Sequence, residues 1–366
     1  MIGTNVARMP WWAWAWPLLA CLLFGSWAAG VMGTAFAAAA AAVLAATVFA
    51  AVYHAEVVAH RVGEPFGTLI LALAVTVIEV ALIVSIMLGG GPDTAALARD
   101  TVFAAVMIIC NGVVGLCLLA GGARHYEQGF QAQGANAALA VLAAMVTLSL
   151  VLPNYTSSAA GPLFSLSQLV FAGTVSLVLY GTFVFVQTVR HRDYFLPQAD
   201  SALAADEEIH APLPSNAATF ASVALLLTAL VAVVGLAKAL TPTLERIVDN
   251  AGAPKAVVGI VIAAVVLLPE SLAALRAARI NRLQTSMNLA LGSALASIGL
   301  TIPAVAAVSI ALDTPLALGL GPKEMVLLAV TVLISVITLG TGRTTILQGV
   351  VHLVILAAFL FLAVVP

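Results

Sequence analysis

The sequence predicts an all-α polytopic membrane protein with about eleven transmembrane helices, one N-terminal helix followed by two inverted-topology five-helix repeats. Three observations predict it. Of 366 residues, 63% are hydrophobic and only 8% charged, with mean hydropathy +1.13, more apolar surface than a soluble domain of this length can bury. Apolar runs of about 20 residues, enough to cross the hydrocarbon core, recur along the whole chain. Two of these runs carry one glutamate each near the middle, at matching places in the two halves.

The first span is expected over 11–32 and opens on Trp11, Trp12, Trp14 and Trp16, side chains suited to the membrane interface. Arg8, this run and the segment TAFAAAA imitate a signal peptide, yet the apolar sequence continues directly into a second span, so an uncleaved helix is expected. Spans two to six are expected over 34–58, 66–88, 101–121, 134–153 and 164–190. The segment HRDYFLPQADSALAADEEIHAPLPSN follows and is the longest hydrophilic stretch. Spans seven to eleven are expected over 216–241, 254–279, 284–311, 323–340 and 344–365. The chain then divides into an extra helix (1–33), a first repeat (34–190), an acidic loop (191–215) and a second repeat (216–366).

Lysine and arginine set the orientation. A cytoplasmic N-terminus puts Arg8, Arg61, Arg124, Arg190, Arg192, Arg276, Arg279, Arg282 and Arg343 inside, and Arg99, Lys238, Arg246, Lys255 and Lys323 outside. That majority favours N-inside in a bacterial inner membrane, with the acidic loop cytoplasmic. The net charge of −2 suggests no nucleic-acid partner. The expected partners are membrane lipid, transported ions and a second copy of the chain. Cys21, Cys110 and Cys117 lie in apolar runs without metal-ligand spacing and read as buried thiols.

The repeat shows at Gly63-Glu64-Pro65, which leads into the span holding Glu79, and at Gly252-Ala253-Pro254, which leads into the span holding Glu270. Each of these spans precedes one with small or polar residues inside it: Asn111, Gly112 and Gly115 in the fourth, Asn288, Gly292, Ser293, Ser297 and Gly299 in the ninth. Spans five apart cross in opposite directions, the arrangement of secondary transporters whose sites form near the midplane.

Of sixteen acidic residues, only Glu79 and Glu270 fall in mid-span. An ionisable group at that depth is costly, which makes it a functional-site hypothesis. Apolar surroundings disfavour the charged form, so such a group holds a proton until a cation arrives to neutralise it. Cation and proton then compete for one site, and exchange results if only loaded forms cross. Oxygen ligands suit hard cations such as Ca²⁺ or Na⁺. Thr76, Asn111, Ser293 and Ser297 are the candidate supporting ligands, with Ser85, Ser271 and Asn288 as further oxygens. Pro269 frees a backbone carbonyl one turn earlier and is a candidate for gating. Glu56 and His60, at the cytoplasmic end of the second span, and Glu245, on the outer side before the eighth, are candidates for access. His54 joins Glu56 and His60 in an interfacial cluster, and His352 reads as a packed neutral histidine. No resident cofactor is expected. A channel is disfavoured because no repeated pore ring is visible, and an intramembrane enzyme because HExxH, GxSxG and a mid-span aspartate pair are missing.

The stretches HAEVVAHRVGEPFGTLILALAVTVIEVALI, LCLLAGGARHYEQGFQAQG, LTPTLERIVDNAGAP and LLPESLAALRAARINRLQTSMNLALGSALASIGLTIP, with the acidic loop, resemble the calcium/proton exchanger family of the cation/calcium antiporter superfamily. The likeness is greatest to its bacterial ChaA-type branch. It implies Ca²⁺ export in exchange for H⁺, with Na⁺ and K⁺ as alternative cargo, and it places the family's two essential glutamates at Glu79 and Glu270. The family motif Gly-Asn-x-x-Glu reads here Val75-Thr76-Val77-Ile78-Glu79 and Val266-Leu267-Leu268-Pro269-Glu270, so both asparagines are replaced. In the ninth span, the glutamine often found after Gly-Ser is Ala296.

Overall fold

The computed structural model describes residues 9–63, 66–89, 95–196, 213–250, 252, 254 and 256–365. They form eleven long helices: α1 (Trp11–Ala28), α2 (Thr34–Val62), α3 (Phe66–Gly89), α4 (Leu97–His125), α5 (Ala132–Tyr155), α6 (Leu166–Arg190), α7 (Asn216–Asn250), α8 (Ala256–Arg279), α9 (Leu283–Leu312), α10 (Pro322–Leu339) and α11 (Ile346–Val364). Nine of them, all but α1 and α3, are long and apolar enough among the described residues to cross a membrane. Large apolar side chains such as Leu22, Phe171, Val354 and Phe361 stand exposed on helix surfaces, as a lipid-facing exterior requires. The protein is an all-helical, multi-pass membrane protein.

The helices group into two compact units, Met1–Gly91 with Ala211–Gly252, and Pro92–His210 with Ala253–Pro366. This grouping sorts helices by packing, whereas the repeats expected from the sequence concern topology.

The first unit contains α1, α2, α3 and α7. Small residues let its helices approach closely. Ala20 of α1, Ala40 and Val43 of α2, and Ala232, Leu236 and Leu240 of α7 form one buried cluster. His54 ties three of the helices together. Its Nε2 donates to the Ala13 carbonyl at 2.8 Å, which leaves Nδ1 to accept from the Ser222 hydroxyl at 3.2 Å. It is fully buried, so it braces the core of this unit and does not belong to an interfacial cluster with Glu56 and His60. Replacing it with leucine strands the Ala13 carbonyl and the Ser222 hydroxyl, at about 1–3 kcal/mol for a buried unpaired group. His54→Leu is expected to lower the thermal midpoint of the purified protein, read by intrinsic fluorescence.

Three boundaries in this unit differ from the expectation. α1 stops at Ala28 instead of residue 32, because Gly30 and Gly33 take φ of +93° and +137°, where L side chains are strained. α2 runs to Val62 instead of 58: His60 and Arg61 suit the negative end of the helix dipole, and Gly63 at φ +77° ends the helix. α7 continues from 241 through Pro242 to Asn250. Beyond the proline, the Arg246 side chain bonds back to the Pro242 carbonyl and the Thr243 hydroxyl, at 3.0 and 3.3 Å.

The second unit is built around α4, of which 83% of the apolar span is buried. Its residues Ile108–Val113 form a π-helical stretch inside the longer helix. α8 and α11 both pack on α4. A Cβ at Gly259 of α8 would lie 3.0 Å from the Thr101 amide nitrogen, and one at Gly349 of α11 would lie 2.5 Å from the Leu119 amide nitrogen. α9 packs on α5, α6 and α8. At one end a two-residue strand, β1 (Gln128–Gly129), pairs antiparallel with β2 (Arg343–Thr344). Polar side chains stitch the same end together. Gln128 Nε2 donates to the Ala278 carbonyl and to Asn281 Oδ1, both at 2.9 Å. Gln284 Nε2 donates to Asn288 Oδ1 at 2.9 Å, and Asn288 Nδ2 donates to the Phe195 carbonyl at 2.7 Å. The acidic loop over 197–212 lies outside the described residues.

Candidate functional site

Each unit carries one carboxylate deep in a 24-residue helix. Glu79 is the fourteenth residue of α3, and Glu270 the fifteenth of α8. The glycine ahead of each helix has a positive φ, Gly63 at +77° and Gly252 at +64°.

Glu79 is 2% exposed. Thr76, one turn earlier, and Ile83, one turn later, share its helix face and are also buried. α3 packs on α2 and α7, the helices that His54 and Ser222 hold together. Thr76, one of the predicted supporting ligands, stands one turn from Glu79 on the same helix.

Glu270 is half-buried on α8. The Ser293 hydroxyl of α9 donates to its Oε2 at 3.4 Å. Ser297, one turn further along α9 on the same face, is buried. α8 runs unbroken through Pro269, whose missing N–H leaves the Val265 carbonyl without its helical donor. Ser271 bonds back to the Leu267 carbonyl at 2.6 Å, which occupies its hydroxyl within α8. Removing the Ser293 hydroxyl deletes one hydrogen bond to a carboxylate, worth about 1.5–3 kcal/mol. Ser293→Ala is therefore expected to raise the half-saturating cation concentration roughly ten- to hundredfold, read from concentration series of cation-driven proton flux.

Asn111 lies on α4 in the second unit. Its amide donates to Thr331 at 2.9 Å, and its Oδ1 faces His352 Nδ1 at 3.3 Å, so both ends are engaged inside a buried cluster. Asn288 likewise spends its amide on Gln284 and the Phe195 carbonyl. Glu56 and His60 are exposed on α2. Glu245 falls within α7, not in a connecting loop, and its side chain lies outside the described residues. Among the described residues no cluster of three or more His, Cys, Asp or Glu side chains assembles. Sequence reading missed Thr331 and Met107, partners of the Asn111 cluster, because a lone threonine or methionine in an apolar span gives no signal. Asn111 and His352, two polar residues in otherwise apolar runs, were the available clue.

Each unit thus offers one carboxylate in the middle of an apolar helix, and the one on α8 accepts from the Ser293 hydroxyl at 3.4 Å. Such a group can hold a proton or a hard cation, and the two exclude each other.

Comparison with known proteins gives concordant results. The family model described as sodium/calcium exchanger protein matches residues 32–189 and 221–365. The chain is 52% identical over 365 residues to the y4hA protein of Sinorhizobium fredii, covering 98% of both chains. It is 36% identical over 309 residues to the sodium-potassium/proton antiporter ChaA of Escherichia coli, covering 84% of this chain and 83% of that one. Among solved structures, native YfkE superposes with a TM-score of 0.73 at 17% identity, covering 97% of this chain and 99% of that one, a likeness of fold.

Proposed function

Because the chain belongs to the sodium/calcium exchanger protein family, a family of transporters and not of enzymes, we propose that it is a proton-coupled cation antiporter in which Glu79 and Glu270 are the shared proton and cation sites. The carrying observation is the pair of mid-helix carboxylates at equivalent positions, Glu79 2% exposed and Glu270 bonded to Ser293. A protonated or cation-loaded carboxylate is neutral enough to change its exposure between the two sides, and a bare one is not. That rule alone turns binding competition into exchange by alternating access. Thr76, Ser293 and Ser297 complete the oxygen sets, and Pro269, with its released carbonyl, supplies a pliable point in α8.

The cargo read from the family resemblance is Ca²⁺, exported against H⁺. A specific observation favours a second reading, Na⁺ or K⁺ in exchange for H⁺: the 36% identical relative is a sodium-potassium/proton antiporter. Loss of both motif asparagines fits it, since Ca²⁺ takes about six to eight oxygen ligands and each lost amide removes one. The excess of basic residues at the predicted inner ends supports a cytoplasmic N-terminus in a bacterial inner membrane.

Everted membrane vesicles with a pH-sensitive dye test both layers. Ca²⁺, Na⁺ and K⁺ are added separately to an established proton gradient. Collapse by Ca²⁺ alone supports the calcium reading, and collapse by Na⁺ or K⁺ supports the second. No response to any of the three defeats the antiporter.

A further inference from the structure

Resting on the antiport reading, we propose that His352 is a third proton-binding residue of the exchange, in the second unit, with its Nε2 presented as the base. The argument is one of hydrogen-bond direction. A thioether sulfur can only accept. Met107 Sδ lies 3.4 Å from Thr331 Oγ1, so the Thr331 hydroxyl donates to it. Thr331 Oγ1 is then left to accept, and it does so from Asn111 Nδ2 at 2.9 Å. The Asn111 amide also lies 3.9 Å from Met107 Sδ, which holds its nitrogen on that side. Asn111 Oδ1 must therefore face His352 Nδ1, 3.3 Å away, and receive a proton from it. A neutral imidazole that donates at Nδ1 carries its lone pair at Nε2.

That lone pair has no hydrogen-bond partner among the described residues. Met107, Asn111, Thr331 and His352 are all at most 1% exposed. A buried polar nitrogen left open is costly, and native interiors rarely keep one without use. Around it the backbone is unusual as well. Cys110 and Asn111 sit in the π-helical stretch of α4, a distortion that shifts carbonyls out of the regular ladder and recurs at functional sites. Nδ1 stays tied to Asn111, which leaves Nε2 as the nitrogen open to a proton.

The crossing of α4 and α11 fixes this geometry. Gly115 and Gly349 let the two backbones touch, and a Cβ at Gly115 would meet His352 Cβ at 3.0 Å. The helices packed on α11 within this unit, α4, α8 and α10, carry few titratable groups near mid-span. They are Cys110 and Cys117 on α4 and Glu270 on α8; Arg99, Asp100, Arg124, His125, Arg276, Arg279, Lys323 and Glu324 lie at helix ends. Glu270 is therefore the one carboxylate at comparable depth on a helix packed against α11, and α8 also packs on the π-helical stretch itself.

The test uses the full-length protein in liposomes, with cation-driven proton flux recorded against pH for wild type, His352→Gln and Thr331→Val. Glutamine keeps a donor for Asn111 Oδ1 and cannot take a proton. In His352→Gln one titrating step is expected to disappear from the pH profile, with at least a severalfold loss of maximal flux. Thr331→Val keeps the histidine and releases the Asn111 amide, so its pH midpoint is expected to move while flux persists. Histidine ¹⁵N resonances of the detergent-solubilised protein give an independent readout: the signal missing from His352→Gln should show a protonated Nδ1 and a bare Nε2 in the neutral form. Profiles of unchanged shape in both variants, or a neutral form protonated at Nε2, overturn the proposal while leaving antiport intact. Absence of cation-driven proton flux in wild type defeats the antiport reading itself, and this proposal with it.

Discussion

Glu79→Gln and Glu270→Gln are each expected to bring cation-driven proton flux to the level of empty vesicles, in protein that still inserts and purifies like wild type. Glutamine is nearly isosteric and keeps the hydrogen-bonding bulk, so packing survives. At Glu270 the Ser293 hydroxyl retains an oxygen to donate to. Charge and titration are both lost. A unit charge about 4 Å from a bound monovalent cation contributes about 4 kcal/mol at an effective dielectric constant near 20, close to a thousandfold in affinity, and more for a divalent ion. At Glu79, only 2% exposed, glutamine keeps the side-chain volume and a hydrogen-bonding group, so folded stability should hold. That combination, a dead transporter with an undiminished thermal midpoint, separates a working carboxylate from a structural one. Equal loss of flux and stability would instead indicate a structural role. Because one exchange cycle is expected to need both groups, the double variant should be no worse than either single one. Flux measured on equal amounts of reconstituted protein checks this.

The features most legible in the sequence were those that the bilayer enforces. Every backbone group in hydrocarbon needs an internal partner, so apolar runs became helices, and the eleven expected spans correspond one to one with α1–α11. Glu79 and Glu270 were legible for the same reason: a carboxylate in mid-span is conspicuous because lipid makes it expensive. Helix ends were less legible, since outside the core hydropathy stops deciding. The seventh span was expected to end at residue 241, and α7 continues through Pro242 to Asn250. The supporting shell was legible only in part. Thr76 and Ser293 could be found from spacing or from the neighbouring span, but Asn111 pairs with Thr331, 220 residues away, and with His352, 241 away. Such partners follow from which helices cross at which height, and a single chain read for hydropathy does not carry that information. Nor did it reveal that the helices would sort by packing into α1–α3 with α7, apart from the rest.

The crossing of α4 and α11 gives the second large expected effect. Gly349→Leu should abolish recovery of folded protein, and Gly349→Ala should destabilise it measurably. A methyl group at Gly349 would lie 2.5 Å from the Leu119 nitrogen, 2.9 Å from the Gly115 carbonyl oxygen and 3.0 Å from the Leu119 Cα, all backbone atoms. No rotamer change relieves such a contact; the helices must separate. Overpacking of this kind costs about 1–3 kcal/mol for small insertions, and leucine exceeds that range because its branches have no gap to enter. Separation has a second consequence. The hydrogen bond from His352 to Asn111 already measures 3.3 Å, and a few tenths of an ångström more takes it out of range. Gly349→Ala should therefore disturb the pH profile of transport in the same direction as Thr331→Val, although it touches no polar atom of the cluster. Gly181 is the control: a Cβ there meets nothing within 4 Å, and Gly181→Ala should leave the thermal midpoint and the profile unchanged. Thermal midpoints of the three variants, measured in one detergent, decide the matter. If Gly349→Ala matches Gly181→Ala, the two backbones are not in contact at this crossing, and the placement of His352 against Asn111 loses its structural basis.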